Sequence, residues 1–247
     1  MPAIKGISVL SGPSRRLLSG AGAAVLLAGA MFGIWQSASR ADESAVVAPP
    51  PAVDQPMAPG ELQTAVLAGG CFWGVQGVFQ HVKGVTQVLA GYSGGEQATA
   101  VYEVVSAGET GHAESVEIKF DPAQISYGEI LRIFFSVAHD PTELNRQGPD
   151  EGTQYRSAIF YADASQQRIA QAYITQLDHA GIFSGPIVTK VDPLKGFFPA
   201  EAYHQDFLVH NPTYPYIVFN DLPKIASLRQ LFPDRYREQP VTVTAMQ

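Results

Sequence analysis

The chain has 247 residues, a formal net charge of −7 at pH 7 and a single cysteine. Its apolar fraction of 46% allows a packed core and excludes a fully disordered chain. The acidic balance argues against nucleic-acid binding through a basic surface, and one cysteine excludes an internal disulfide.

The first 41 residues have the pattern of a secretory signal peptide. Arg15 and Arg16 precede an uncharged apolar run, and small residues precede a cleavage site after Ala41. We therefore expect residues 1–41 to direct export, which places the mature protein in the periplasm. An uncleaved signal that tethers the chain to the membrane is the alternative, because the apolar run is nearly long enough to span a bilayer.

The rest of the chain divides by composition into three parts. Residues 42–60 contain five prolines and little that could pack, which predicts a disordered linker. Residues 61–235 carry the apolar periodicity of a folded domain, and residues 236–247 form a tail.

Apolar periodicity predicts regular elements in the first half of this domain. We expect strands at 63–68, 85–92 and 115–120, and a helix at 72–82. The segment between the second and third strands is a polar loop that carries Tyr102.

The second half continues the alternation. Ser126 and Glu129 form a capping box for a helix that reaches Ala138. A loop follows at 139–154, then a strand at 157–161. A long helix begins at Asp163 or Ser165 and stops near Gly181, and a last strand covers 187–191.

This alternation predicts an α/β (α+β) fold with a mixed sheet, helices on it and long loops. The order of the elements fits a ferredoxin-like two-layer sandwich. The segment from residue 197 to the end is coil-rich, with short helices at 201–208 and 224–231, and we expect it to wrap the surface of the core.

Cys71 lies at the most informative point of the sequence. It follows a strand and two glycines, and it opens a helix. The free amides and partial positive charge of a helix start favour a thiolate there. Phe72 and Trp73 follow at once and suggest an uncharged, partly apolar substrate. A buried, inert structural cysteine is the alternative.

Three other residues could assist chemistry at this thiol. Tyr102 and Tyr155 are neutral hydrogen-bond donors, and Glu114 could act as a proton donor if burial raises its pKa. The alternatives are a surface carboxylate for Glu114 and a solvated loop around Tyr155 and Asp150.

The six histidines do not form a metal-binding pattern, so no metal is expected. A Cys–His nucleophile pair that involves His112 or His204 is conceivable.

Five short motifs occur in one order along the chain and together resemble peptide methionine sulfoxide reductase A. They are residues 70–74 (Gly-Cys-Phe-Trp-Gly), 91–95 (Gly-Tyr-Ser-Gly-Gly), 110–114 (Thr-Gly-His-Ala-Glu), 152–157 (Gly-Thr-Gln-Tyr-Arg-Ser) and 203–207 (Tyr-His-Gln-Asp-Phe). The resemblance covers about residues 63–220. It implies a two-layer α/β sandwich and the reduction of the S epimer of methionine sulfoxide, free or in proteins.

The resemblance also implies a role for each matched residue. Cys71 is the nucleophile and becomes a sulfenic acid, and Glu114 is the acid that protonates the sulfoxide oxygen. Tyr102 and Tyr155 hydrogen-bond that oxygen. The substrate-binding residues are Phe72 and Trp73, which form the pocket for the substrate methyl group, and Asp150, which orders the site.

The sequence departs from many relatives because it has no cysteine after Cys71, and Val105 stands where relatives often have one. An external thiol must therefore resolve the sulfenic acid. Glutathione, glutaredoxin or a thioredoxin-like protein could do so, and export favours the thioredoxin-like donor. Pro149 stands where relatives often have Asn, and it removes a backbone donor next to Asp150.

We expect a monomer without a bound cofactor that repairs oxidised, exported proteins. Two other classes of function stay open at this point. One is a cysteine-dependent hydrolase or acyltransferase, which would need a histidine base. The other is a non-catalytic binder of oxidised peptides.

Overall fold

A computed structural model describes residues 45–243 of the chain. The expected signal peptide therefore lies outside the described residues. Within residues 45–243 no helix has the length and apolar character needed to cross a membrane.

Six strands form the main sheet, in the order β7-β6-β1-β3-β2-β8. Two further strands, β4 and β5, make a small separate hairpin. The strands are β1 (Gln63–Gly69), β2 (Val85–Ser93), β3 (Ala113–Phe120), β4 (Arg146–Gln147), β5 (Asp150–Glu151), β6 (Ser157–Tyr161), β7 (Lys190–Pro193) and β8 (Phe197–Pro199).

Six α-helices accompany the sheet. They are α1 (Phe72–Gln80), α2 (Tyr102–Val105), α3 (Tyr127–Ile133), α4 (Ala164–Ala180), α5 (Phe207–His210) and α6 (Leu222–Leu231). Two wider π-type turns, Phe134–Ala138 and Ile217–Asp221, extend α3 and lead into α6.

The central strands confirm the ferredoxin-like arrangement. β1 pairs antiparallel with both β3 and β6, and β2 pairs antiparallel with β3. The order β6-β1-β3-β2 is therefore that of a βαββαβ sandwich, with β3 inserted between the two strands that α1 connects. β7 adds a parallel edge strand beside β6, which makes the sheet mixed.

Helix α1 is buried on both sides, which explains its composition. Val75, Val78 and Phe79 belong to the core. On the other side, Gly74 and Gly77 let the C-terminal segment come close. A Cβ on Gly77 would lie 2.7 Å from Leu208 Cδ1, so a larger residue there would require the Leu208 side chain to shift.

The predicted helix caps of α3 and α4 are confirmed. Ser126 Oγ accepts the Glu129 N–H at 3.1 Å. Asp163 Oδ1 accepts the Ser165 and Gln166 N–H groups at 2.8 and 2.9 Å, and Gly181 ends α4 with φ = 59°.

Three predicted elements differ in their bounds. The α-helix expected to reach Ala138 becomes a π-type turn after Ile133. The strand expected at 187–191 is observed at Lys190–Pro193, because only this stretch pairs with β6. The helix expected at 201–208 is broken, because Asp206 adopts φ = 54° while its N–H donates to Gln76 Oε1 at 3.0 Å.

The prediction of a disordered linker at 42–60 is wrong for residues 45–58, which we call the N-terminal strap. Its backbone hydrogen-bonds to α3 and α4 side chains. Arg132 Nε donates to Ala48 O at 2.9 Å, and Tyr173 Oη donates to Pro49 O at 2.8 Å. Proline removes donors but leaves its carbonyls as acceptors, so a proline-rich segment can still be held by donors from helices.

The start of the predicted tail is also attached to the core. Tyr236 forms an antiparallel bridge with Val82, and the Val241 N–H donates to Gln80 O at 3.0 Å. The Val243 N–H reaches Asp206 Oδ1 at 3.1 Å. Both ends of the described chain therefore stabilise the sandwich.

Candidate active site

Cys71 lies where β1 passes into α1, as the sequence predicts. Gly70 takes φ = +86°, and a Cβ there would lie 2.5 Å from Gln147 Cβ, so the turn requires glycine. Cys71 is the residue that precedes the first turn of α1. The residue as a whole is 9% exposed, so the thiol lies in a largely buried position.

Glu114, on β3, is buried beside the same helix start. Its Oε2 accepts the Phe72 N–H at 3.0 Å, and the residue is 3% exposed. Burial raises the pKa of Glu114 to about 8, although the Phe72 N–H lowers it, and nearby Asp150 adds to the rise. At neutral pH the carboxyl group is therefore largely protonated. The surface-carboxylate alternative is wrong.

The expectation of a stabilised Cys71 thiolate is wrong. Burial raises the pKa of the thiol well above its ordinary value, and the charges of Glu114, Asp221 and Asp150 add to this effect. The Trp73 N–H at the helix start acts in the opposite direction but is outweighed. The helix start favours an anion, but burial among carboxyl groups opposes one more strongly.

The two tyrosines lie in the same electrostatic environment. Burial raises the pKa of Tyr155, and the charges of Glu114, Asp150 and Cys71 raise it further. Burial also raises the pKa of Tyr102, followed by the charges of Glu114 and Cys71. Both tyrosines are therefore within electrostatic range of Cys71 and Glu114, and both remain protonated donors at neutral pH.

Asp150 is positioned by a short hairpin. Gly148, at φ = 54°, and Pro149 form the turn between β4 and β5. Tyr216 Oη donates to Asp150 Oδ2. Pro149 is thus accommodated in the turn, and the carboxylate of Asp150 is fixed by a side chain from the C-terminal segment.

Phe72 and Trp73, which the resemblance assigns to the substrate pocket, lie at two different depths. Phe72 is 1% exposed and packs behind the site against Tyr92 and His204. Trp73 is partly exposed and stacks on Phe207, with ring centroids 3.8 Å apart. The edge of Tyr216 meets the Trp73 ring at a centroid distance of 6.0 Å.

Neither histidine considered as a base is paired with the thiol. His112 Nδ1 accepts the Gly95 N–H at 3.3 Å, and its Nε2 lies 3.0 Å from Glu96 O. His204 Nδ1 accepts the Trp73 Nε1–H at 3.2 Å, which fixes the tautomer with hydrogen on Nε2. These contacts of His112 and His204 do not form the Cys–His pair that a cysteine-dependent hydrolase needs.

Sequence reasoning missed Tyr216, Asp221 and Glu201, all from the C-terminal segment. No motif signalled them because their relation to Cys71 exists only in the folded chain. Asp221 is 0% exposed and lies over Gly74, and its Oδ1 is 3.6 Å from Lys224 Nζ.

Among the described residues, no group of His, Cys, Asp and Glu has the arrangement of a metal site.

Comparison with known proteins agrees with this geometry. Residues 63–236 match the family model described as peptide methionine sulfoxide reductase. The chain is 62% identical over 191 residues to peptide methionine sulfoxide reductase MsrA 2 of Mesorhizobium japonicum, covering 77% of this chain and 97% of the relative. It is 55% identical over 177 residues to MsrA 2 of Synechocystis sp., covering 72% of this chain and 83% of that one.

The chain also resembles solved structures in its fold. Reduced Mxr1 of Saccharomyces cerevisiae superposes with a TM-score of 0.56 at 31% identity, covering 65% of this chain and 91% of the other. Methionine sulfoxide reductase A of Corynebacterium diphtheriae superposes with a TM-score of 0.54 at 33% identity, covering 70% and 91%.

Proposed function

Because the chain belongs to the peptide methionine sulfoxide reductase family, whose activity is the thiol-dependent reduction of methionine sulfoxide, we propose that Cys71 is its nucleophile. The substrate is the S epimer, and Cys71 Sγ attacks the sulfoxide sulfur. The observation that carries this proposal is a protonated carboxyl, Glu114, buried beside the thiol at the start of α1.

Glu114 supplies the proton that activates the substrate. A sulfoxide is a poor electrophile until its oxygen is protonated, and a carboxyl group with a pKa of about 8 holds that proton at neutral pH. The attacking thiol releases its own proton, which restores the carboxyl of Glu114. The balance is therefore one thiol and one sulfoxide converted to one sulfenic acid and one thioether.

Protonation of Glu114 also assists the thiol directly. The charge of Glu114 is the largest electrostatic influence that opposes ionisation of Cys71 after burial itself. A neutral Glu114 removes that charge, so thiol and carboxyl titrate as a coupled pair. The helix start can then stabilise the thiolate as it forms.

Tyr102 and Tyr155 act on the oxygen of the substrate. Both hydroxyls remain protonated at neutral pH and are within electrostatic range of Cys71 and Glu114. They donate hydrogen bonds to the charge that develops on oxygen during attack, as an oxyanion hole does, and losing one such donor typically costs ~10²–10³ in rate.

Trp73 forms the exposed apolar wall for the substrate methyl group, with Phe72 as the layer behind it. Asp150 and its donor Tyr216 order the polar side of the site. The substrate group is therefore uncharged, small and half apolar, as a methyl sulfoxide is.

The sulfenic acid on Cys71 is resolved by an external thiol, because the chain has no second cysteine. An external thiol replaces the hydroxyl with release of water, and a second thiol releases Cys71 as the free thiol. In the periplasm a thioredoxin-like protein is the donor, with glutaredoxin or glutathione as the alternatives. The protein acts as a monomer on oxidised exported proteins, without a bound cofactor.

A turnover experiment with a matched variant tests the assignment. The protein is incubated with methionine S-sulfoxide, first without reductant and then with dithiothreitol. We expect about one equivalent of methionine per protein without reductant, with sulfenic acid on Cys71, and repeated turnover with dithiothreitol. Cys71→Ser should be folded and inactive. A non-catalytic binder would give no methionine under either condition, and that result would refute the assignment.

A further inference from the structure

Helix α2, which carries Tyr102 at its first position, lacks a local cap. Val101 precedes it and has no side-chain acceptor, and no side chain caps the helix from that position. The first amides of a helix need acceptors from elsewhere. α2 has only four residues, so its own hydrogen bonds cannot define its position.

Glu201 supplies the missing acceptor from a distant part of the chain. Its Oε1 accepts the Tyr102 N–H at 2.9 Å, and its Oε2 accepts the Tyr92 hydroxyl at 2.8 Å. One carboxylate thus joins the start of α2 to β2. Burial alone would raise the pKa of Glu201, but the donors on Tyr102, Glu201 itself and Tyr92 outweigh it, and the pKa is lowered. The bridge is therefore charged at neutral pH.

Glu201 is itself held firmly against the sheet. β8 pairs with β2 just before it, and the Ala200 N–H donates to Ala90 O at 2.9 Å. Gln205 continues the attachment, because its Oε1 accepts the Ala90 N–H at 2.9 Å and its Nε2 donates to Ala200 O at 3.0 Å. A carboxylate on such a framework can define the position of another element.

The other end of α2 is attached to the segment that carries the second tyrosine. Gln154 Nε2 donates to Ser106 O at 3.1 Å, and Thr153 Oγ1 donates to Gly108 O at 2.6 Å. With the C-terminal end of α2 attached in this way, the Glu201 contact holds its N-terminal end at the backbone of Tyr102, whose ring packs on His204 at a centroid distance of 4.5 Å.

We propose that Glu201 is a positioning residue for the reduction, which fixes Tyr102 so that its hydroxyl meets the oxygen of the sulfoxide. This inference rests on the proposed function. Glu201 acts through Tyr102 and does not touch the substrate. A displacement of about 1 Å in a catalytic group can cost on the order of 100-fold in rate, so a loosened α2 should have a measurable effect.

The test compares Glu201→Ala with Glu201→Gln in steady-state turnover with dithiothreitol. We expect Glu201→Ala to lower kcat about tenfold with little change in KM, because Tyr102 acts mainly on charge that develops in the transition state. Glu201→Gln should stay within about twofold of the wild type, because its amide oxygen still accepts the Tyr102 N–H and its amide nitrogen can donate to the Tyr92 hydroxyl. Glu103→Ala, which removes an exposed carboxylate from α2, is the matched control and should be fully active.

A double-mutant cycle with Tyr102→Phe separates positioning from general structure. If Glu201 acts through Tyr102, adding Glu201→Ala to Tyr102→Phe lowers kcat little further. The inference would be overturned if the two decreases in kcat multiplied in the double variant. It would also be overturned if either Glu201→Ala or Tyr102→Phe were fully active. The wild-type and Cys71→Ser turnover experiment reports separately on the proposed function. If Glu201→Ala does not fold, Glu201→Asp takes its place, since its shorter side chain cannot reach both donors.

Discussion

At the scale of single residues, the site depends on how burial distributes protons. Glu114 and Cys71 are both acidic groups kept protonated by burial, and each discourages ionisation of the other. When the substrate takes the proton of Glu114, the carboxylate that is left can accept the proton that Cys71 loses during its attack. The reactivity of Cys71 therefore belongs to the pair and not to the thiol alone.

Glu114→Gln should abolish most activity while stabilising the fold. Burial raises the pKa of Glu114 from 4.5 to about 8 in the folded protein. The folded state therefore loses stability as the pH rises from about 4.5 toward 8, because the carboxyl group ionises more easily in the unfolded chain. Glutamine stays neutral at all these pH values, so the Glu114→Gln variant does not lose this stability, which is on the order of a few kcal/mol. We expect a higher Tm for Glu114→Gln at pH 8 and no difference near pH 4, with turnover lowered about 100-fold or more.

The same protonation governs the pH dependence of the wild type. Single-turnover reduction should slow as the pH rises through about 8, because the fraction of protonated Glu114 falls. The rate in Glu114→Gln should lack this decline. An alkaline decline that is identical in the two proteins would show that another group, and not Glu114, is the proton donor.

At the scale of elements, α1 is fixed by close contact with the C-terminal segment. Gly74→Ala should destabilise the protein although alanine favours helix, because a Cβ there would lie 2.1 Å from Asp221 Oδ1. Asp221 is fully buried and pairs with Lys224, so it cannot simply swing away.

We expect Gly74→Ala to cost about 1–3 kcal/mol in denaturant unfolding, which is typical of overpacking. Gly185→Ala is the control, since its nearest neighbour would be Thr142 Cβ at 3.7 Å. Equal stability of the two variants would contradict the close packing of α1.

The N-terminal strap contributes a cap to α3 from outside that helix. Asp54 Oδ1 accepts the Gly128 N–H at 2.8 Å, and its Oδ2 accepts the Ser126 hydroxyl at 2.5 Å. Asp54→Ala should cost about 1 kcal/mol and lower Tm by about 2–4 °C, as the loss of a helix cap does. Turnover should be unchanged, and exposed Glu61→Ala should alter neither quantity. An unchanged Tm for Asp54→Ala would mean that the strap does not stabilise α3.

At the scale of the whole molecule, the export proposal makes a prediction about the mature chain. We expect intact-mass measurement of protein from the periplasm to show a chain that begins at Asp42. Bulky substitutions at Ser39 and Ala41 should block cleavage and leave the protein in the membrane fraction. A full-length chain that remains in the cytoplasm would contradict export. The strap begins only a few residues after the expected cleavage site, so cleavage would leave it intact.

Sequence patterns determined the sandwich and most of the site. Periodicity placed β1, α1, β2, β3 and α4, because each buries a regular apolar face or run against the sheet. The strand–glycine–thiol order placed Cys71 at the helix start, because that turn depends only on neighbouring residues. Resemblance added the roles of Glu114 and the two tyrosines, and the structure places Glu114 against the Phe72 N–H at the start of α1.

What only the tertiary structure decided was the environment of those residues. The proton on Cys71 depends on carboxyl groups from β3, β5 and the C-terminal segment, which a local reading of the helix start could not include. The strap is ordered because donors on α3 and α4 reach its carbonyls, and the Tyr102 N–H has its acceptor on Glu201, which is distant in sequence. Local pattern specifies which elements form, but pKa values and positions depend on groups distant in sequence that only folding brings together.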